Sequence, residues 1–300
     1  MLLPKHIDLH MHSTCSDGTD EPLELLEKVR EAGLNMFSLT DHDATSGCET
    51  ILKKLADSPS VGDDVGFYFL AGTEFSCQDF GGKYHILGYG YDPDADSIRR
   101  LVKAGHELRM KKLDGRIKFL KEKFGFVFSK EDIEKVKSLS NPGKPHLAQL
   151  MIRYGYVKTK KEAFHEYLNK KRFRSGHVKP EDAIEGILGA GGIPVLAHPS
   201  YGDGDQIIVG QELRERIEYL MQMGLEGLEA YYSGFTPKLE GELLGYAEEY
   251  DLYVTAGSDY HGTNKLIPLG ETNLEDTADA APGLTRFMTK VIEEGKAIRG

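Results

Sequence analysis

The sequence predicts an α/β protein, a (β/α)7 TIM-like barrel interrupted by a basic helical insertion. Three observations carry that expectation. Short apolar or alternating runs recur between stretches of helical periodicity, the pattern of βα units. Seven such runs can be counted, enough to close a barrel, and a chain of 300 residues is long enough to build one as a single large domain. Between the fourth and fifth runs the strand signal disappears for about eighty residues, and the text turns helical and basic.

Taken in order, strands are expected near 6–11, 35–40, 67–76, 84–90, 193–197, 226–231 and 252–257. Amphipathic helices are expected at 21–32, 46–56, 180–190, 211–223 and 238–250. The first is opened by Asp20 ahead of Glu21-Pro22 and stopped by Gly33. The insertion, 97–178, divides the barrel into 1–96 and 179–300 and reads as helices at 97–124, 130–137, 145–154 and 160–170. Its turn at Ser140-Asn141-Pro142-Gly143-Lys144-Pro145 would break any helix running through it.

The bulk composition fits an ordinary globular protein, 40% hydrophobic and 28% charged. No run approaches the roughly 18 apolar residues that span a bilayer, and no basic-then-apolar leader opens the chain, so a cytoplasmic location is expected. Three cysteines, Cys15, Cys48 and Cys77, lack paired spacing and read as reduced thiols. The net charge of −11 is unevenly spread: residues 98–180 hold 23 Lys and Arg against 8 Asp and Glu, while the remainder holds 14 against 40. An acidic body beside a basic segment suits a metal-dependent enzyme acting on a phosphorylated substrate, and equally a solvated helical surface.

The ends of the strands carry the chemistry. The first finishes in His10, His12 and then Asp17; the second in Thr40-Asp41-His42-Asp43; the third in Gly72-Thr73-Glu74; the fourth carries His85; the fifth ends in Ala197-His198-Pro199; the seventh in Asp259-Tyr260-His261. In a barrel these ends converge on one face. Residues two apart on a strand share a face, so His10 with His12, and Asp259 with His261, point the same way. Imidazoles and carboxylates without cysteine can ligate Zn, Mn or Fe. A lone strand histidine such as His85 is more often structural than a ligand, but the ordered set is specific. His6 sits at the far end of its strand and Asp8 reads as structural or as a support behind the ligands, so neither is expected to ligate.

The segments DLHMHSTCSDG, SLTDHD, AGTEFS, YHILGYG, VLAHPS and TAGSDYHG, in that order, resemble the motifs of the polymerase and histidinol phosphatase (PHP) superfamily of metallophosphoesterases. The resemblance covers about 1–90 and 190–262. It implies a distorted seven-stranded barrel with a trinuclear metal centre. His10, His12, Glu74 and Asp259 would hold the first ion, Glu74 would bridge to a second held also by His85 and His198, and Asp17, His42 and His261 would hold the third. Glu74, His198 and Asp259 would take part in the chemistry, with three divalent ions, manganese before iron or zinc. Two bridged cations can lower the pKa of a shared water from 15.7 towards ~7, giving a hydroxide that attacks phosphorus in line.

The basic insertion with GKPHLAQLMIRYGYV resembles the branch that removes the 3′-phosphate of nucleoside 3′,5′-bisphosphates or trims short RNA from the 5′ end. The position before Pro145-His146, often arginine in that branch, is Lys144, which keeps the charge and loses the bidentate fork. Arg109, Arg116, Lys144 and His146 are the candidates for holding the nonreactive phosphate. The run Lys170-Lys171-Arg172-Phe173-Arg174 could contact RNA by charge and stacking, or be an exposed basic turn. His106, His165 and His177 have no motif context. A small phosphorylated nucleotide or short RNA is the expected partner, with neither long duplex DNA nor a membrane. No serine elbow or P-loop appears, and Gly189-Ala190-Gly191-Gly192 reads as a helix stop. Two readings compete: a phosphatase for histidinol phosphate or another small phosphomonoester, and a module that binds metal or nucleic acid without turnover.

Overall fold

The computed structural model describes residues 3–57, 66–139, 141–173, 176–202 and 206–300. Ser140 and Arg174, members of the turn and the basic run, lie outside them. Nine strands among the described residues form two sheets. The first joins β1 (Ile7–Asp8), β2 (Met36–Phe37), β3 (Tyr68–Leu70) and β9 (Ala297–Arg299); the first three run parallel and β9 pairs antiparallel with β3. The second joins β4 (Gly72–Asp79), β5 (Gly82–Tyr89), β6 (Ile193–Leu196), β7 (Gly227–Tyr232) and β8 (Tyr253–Gly257). Its β4–β5 and β5–β6 pairs are antiparallel, its last two parallel.

The fold is thus α/β with mixed sheets. The strand expected over 67–76 divides at Ala71 into β3 and β4, which belong to different sheets, and β5 follows β4 with no helix between them. Backbone hydrogen bonds tie the two sheets at both junctions. Leu9 N–H donates to Ala256 O (2.9 Å), His12 N–H to Tyr260 O (2.8 Å) and Asp259 N–H to His10 O (2.8 Å). On the other side Asp43 N–H donates to Glu74 O (2.9 Å) and Glu74 N–H to Asp41 O (3.3 Å). Every one of these bonds involves a candidate ligand or a residue next to one, so the junctions place the site.

Helices α1 (Pro22–Glu31) and α2 (Ser46–Asp57) cover the first sheet. They bury Leu25, Leu26, Val29 and Ile51 with Phe37 and Phe69, each worth roughly 2 kcal/mol of transfer free energy. The residue that caps α1 is Glu21, with Glu24 accepting its backbone N–H at 3.1 Å. Asp20, expected in that role, instead accepts from Lys28 Nζ and Tyr260 Oη, both at 2.7 Å, which fastens the helix to the loop after β8. Gly33, at φ +69°, stops the helix as expected.

The segment between β5 and β6 holds α3 (Asp96–Phe124), α4 (Lys130–Lys137), α5 (Lys144–Arg153) and α6 (Lys160–Glu162). The helix expected over 160–170 is broken, with a wide turn at Ala163–Tyr167 and a tight one at Leu168–Lys170 following α6. Within 113–168 lies a separate apolar cluster that includes Leu113, Leu120, Phe128, Leu147, Met151 and Leu168. The main core packs β5 to β8 against α7 (Pro180–Gly189), α8 (Gly210–Met221), α9 (Pro237–Glu249) and α10 (Pro282–Glu293). The expected elements include neither α10 nor β9, although α10 buries Leu284, Phe287, Met288 and Val291 at helical spacing. Among the described residues no helix is long and apolar enough to cross a membrane.

Candidate metal centre

Past β1 the chain stays extended and its side chains alternate. Leu9 and Met11 enter the two apolar clusters, while His10 and His12, fully buried, turn to the other side. Two carboxylates hold this segment from behind. Asp8 accepts from Ser258 N–H (3.0 Å), Ser258 Oγ (2.6 Å) and Gly270 N–H (2.8 Å), locking β1 to the loop after β8. Asp41 accepts from Ser13 N–H, Ser13 Oγ and Ser16 Oγ at 2.6–2.8 Å, fixing the loop that carries Asp17. Both are structural, as expected of Asp8. His6 is exposed, with Nδ1 3.0 Å from Glu275 O, and stands apart.

Glu74, fully buried on β4, is the hub. One oxygen lies 2.8 Å from His85 Nδ1 and 3.1 Å from His198 Nε2. The other lies 2.9 Å from His42 Nδ1, 3.2 Å from His12 Nε2 and 3.3 Å from His10 Nε2. Asp259 Oδ1 is 3.3 Å from His12 Nε2 and 3.6 Å from His10 Nε2. Asp17 Oδ1 is 3.2 Å from His261 Nε2 and 4.0 Å from His42 Nε2. All nine residues expected to ligate are therefore brought together. Three groups have ligand atoms within 4.8 Å of one another: His12, Asp17, His42 and His261; His10, His12 and Asp259; His42, Glu74 and His85. His12 and His42 each belong to two groups, so the cluster is continuous.

His198 and Asp259, at the ends of β6 and β8, have left-handed backbones at φ +28° and +57°. Strain of this kind in non-glycine residues is held by surrounding structure and is typical of functional sites. Here His198 Nε2 reaches Glu74 and Asp259 Oδ1 reaches His10 and His12.

The donor set fits divalent cations. Asp17 Oδ1, Glu74 Oε2 and His42 Nδ1 are buried without a hydrogen-bond partner, although each lies within 4 Å of another donor of the cluster. Buried polar atoms left unpaired are costly, and lone pairs directed at a common point are the arrangement an ion satisfies. Nitrogen and oxygen ligands without sulfur suit Mn, Fe or Zn. The outer contacts support the same use. His10 Nδ1 is 2.8 Å from Glu229 Oε1 and His261 Nδ1 is 2.8 Å from Asp259 O, so each ring can give its N–H outward and keep Nε2 as an acceptor.

Carboxylates and imidazoles of the cluster shift one another in both directions. Burial pushes the Glu74 carboxyl up, but His42, His85 and His10 override it and hold it well below the usual range. Burial likewise disfavours charge on His12, yet Asp259 and Glu74 raise its pKa to about 9. His85, where burial dominates, falls to about 4.

Three contributors carry no motif. Glu229 is fully buried in β7, and an acid between Leu228 and Ala230 in an apolar strand is its only sequence signal. Lys265 Nζ and Tyr232 Oη both donate to Asp259 Oδ2, leaving Oδ1 for the cluster; nothing in the sequence singles them out.

The four basic candidates of the insert are placed differently. Arg109 forms a buried ion pair with Asp43, the neighbour of His42. Arg116 lies over the Phe173 ring at 5.0 Å. Lys144 Nζ donates to Asn169 Oδ1 at 2.9 Å. His146 Nδ1 accepts from Gly143 N–H at 3.1 Å at the start of α5. Asn141 Nδ2 donates to His42 O, which ties the insert to the centre. Of the basic run, Lys170 pairs with Glu166 at 3.1 Å and Arg172 is exposed.

The sequence profile of the family described as PHP domain matches residues 8–296. A protein of Haemophilus influenzae named 5′-3′ exoribonuclease is 30% identical, covering 95% of this chain and all of its own length. A phosphoribosyl 1,2-cyclic phosphate 1,2-diphosphodiesterase of Eggerthella lenta is 29% identical over 87% of this chain and 96% of its own. A 3′,5′-nucleoside bisphosphate phosphatase of Chromobacterium violaceum is 29% identical over 92% and 93%.

Proposed function

The chain belongs to the PHP domain family, and from that premise we propose that it is a metal-dependent phosphoesterase acting on nucleoside 3′,5′-bisphosphates, or on short RNA from the 5′ end. The observation that carries this reading is the convergence of nine imidazole and carboxylate residues, Glu74 at their centre, beside a basic helical segment. The relatives named for the bisphosphate and for the exoribonuclease reaction, aligned over nearly their whole lengths, give it the substrate class.

The two sheets, tied at both junctions, are read as one distorted seven-unit barrel with the site at its strand ends. Residues 97–178 are read as an inserted substrate-binding subdomain, a division supported by the separate apolar cluster within 113–168. Three divalent ions are proposed, manganese first. His10, His12, Glu74 and Asp259 would hold one, Glu74 with His85 and His198 a second, and Asp17, His42 and His261 the third. When bound, such ions supply Lewis acidity and a nucleophilic water at neutral pH.

The chain's own residues do the rest. Glu229 holds His10 in the tautomer with Nε2 free. Lys265 and Tyr232 keep Asp259 turned with one oxygen inward. Arg109, Arg116, Lys144 and His146 hold the phosphate that does not react, fixing which ester reaches the centre.

The test is a panel with product analysis. Adenosine 3′,5′-bisphosphate should give adenosine 5′-monophosphate and inorganic phosphate. Turnover of histidinol phosphate with no action on the bisphosphate would replace this reading. A second reading rests on the Eggerthella lenta relative: a cyclic phosphodiester would then be opened faster than the bisphosphate is cleaved.

A further inference from the structure

Among the described residues of the insert, Asn141, Arg109 and Lys160 reach back to the metal centre, and they arrive at the same corner of it. Asn141, only 5% exposed in the turn before α5, gives a side-chain N–H to His42 O. Arg109 on α3 pairs with the next residue, Asp43, whose other oxygen accepts the Ser76 N–H at 3.0 Å. Lys160 on α6 donates from Nζ to Asn264 Oδ1 at 2.8 Å. Asn264 in turn gives a side-chain N–H to Asp17 O at 2.8 Å and its backbone N–H to His261 O at 3.3 Å.

Asp17, His42 and His261 are the residues read as holding the third ion. Each has its backbone carbonyl held by an asparagine, and each asparagine belongs to the insert or is gripped by it. The other six ligands are positioned within the barrel. Glu229 holds His10 and the backbone of His198, and Tyr232 and Lys265 hold Asp259. Tyr260 O accepts the His12 N–H, and the pairing of β4 with β5 sets Glu74 and His85. A ligand side chain inherits the place of its backbone, and loss of an outer partner of a metal ligand costs roughly 10–100-fold in affinity.

We propose that the insert completes the third ion site. Through Asn141, and through Lys160 acting on Asn264, it holds the three ligands of that ion in place, so docking of the insert and binding of the third ion are coupled, while the other two ions depend on the barrel alone. Lys160, Asn141 and Asn264 are positioning residues and touch no ion. The inference rests on the three-ion reading and gives the insert a role apart from its contacts with substrate.

Lys160 is the sharper probe because charge and position act in opposite directions there. Loss of an ammonium near a cation site favours the cation by electrostatics alone, so weaker binding after Lys160→Met reports lost positioning. Lys160 is exposed on a three-residue helix, and its replacement leaves the core untouched.

Equilibrium dialysis of the stripped protein against graded free manganese, with ions per chain counted by plasma mass spectrometry, gives the three binding steps. Wild type should reach three ions. Lys160→Met should weaken one step about fivefold and Asn264→Ala the same step about tenfold, with the other two unchanged within about twofold. Lys160→Arg should restore wild-type binding. His261→Ala, which removes a third-ion ligand, identifies the step: in that background Lys160→Met should shift nothing further. Melting of each stripped variant checks that it folds, and the exposed Lys160 carries the test if Asn264→Ala does not fold. Equal weakening of all three steps, no weakening in folded Lys160→Met, or a shift that persists in the His261→Ala background overturns the coupling and leaves the three-ion reading standing. Fewer than three ions on saturated wild type overturns both.

Discussion

Glu229→Gln exchanges one buried oxygen for a nitrogen, and the two hydrogen bonds at that carboxylate set the consequence. Oε1 of Glu229 lies 2.8 Å from His10 Nδ1, and Oε2 accepts the backbone N–H of His198 at 2.8 Å. Both partners can donate, and the carboxylate accepts from both. An amide has one oxygen and one NH2, so one partner must face a donor. If the oxygen stays on the His198 N–H, the NH2 meets His10 Nδ1. That forces the ring to carry its proton on Nε2, the atom that points at Glu74 and Asp259. If the oxygen turns to His10, the His198 N–H is orphaned beside a left-handed backbone. Either way a buried charge-assisted hydrogen bond is lost, worth about 2 kcal/mol, or roughly 30-fold in affinity for the ion held by His10. Competition with a chromophoric chelator measures this directly, with melting of the stripped protein as the control for folding. Metal affinity equal to wild type in a folded variant would refute the orienting role of Glu229.

Other sites carry expectations of their own. Arg109→Met strands the buried Asp43 carboxylate and should destabilise the protein by about 3 kcal/mol in urea titration. Burial raises the Asp43 carboxyl but Arg109 holds it lowered, so this pair stabilises above the ordinary carboxylate range and the contribution is lost as pH falls through it; the variant should lack that loss. Lys112→Met should stabilise the ligand-free protein by an upper limit of about 4 kcal/mol at pH 7.5, read as a higher melting temperature. With its folded pKa near 7, below the unfolded 10.5, the native state binds fewer protons between those values, so wild-type stability gains with rising pH there and the variant should not show that slope. Stripping the metals should lower the melting temperature by roughly 8 °C, from about 4 kcal/mol of linkage at a thousandfold excess over Kd; an unchanged melting curve would contradict ion binding at the centre.

Much of the centre is legible in the sequence because its signals are local. His10 and His12 stand at the period of a strand and the remaining candidates close or border apolar runs, although the left-handed backbone at Asp259, past β8, means that strand alternation does not align it with His261. Positions held by long-range contacts are not legible. Glu229 looks like any strand-borne acid until His10, 219 residues away, is seen against it. Lys112 is one of many basic residues, and only burial against Gly176 and His177 separates it from its exposed neighbours. Asp20 precedes Glu21-Pro22 as a cap should, but Lys28 and Tyr260 claim its oxygens. The run 67–76 keeps a strand pattern throughout, and periodicity does not register that the chain leaves one sheet for the other at Ala71. The helix expected at 160–170 loses its regular turn at Ala163–Tyr167, where no proline or glycine stands as a warning.

Phosphate release from adenosine 3′,5′-bisphosphate by manganese-loaded protein, measured beside Glu74→Gln, bears most directly on whether the donors around Glu74 serve phosphoester hydrolysis. Wild type should yield adenosine 5′-monophosphate and one inorganic phosphate per turnover, and Glu74→Gln should remain folded with no detectable release. Equal release by the Glu74→Gln protein, or none by wild type with any divalent metal, would contradict it.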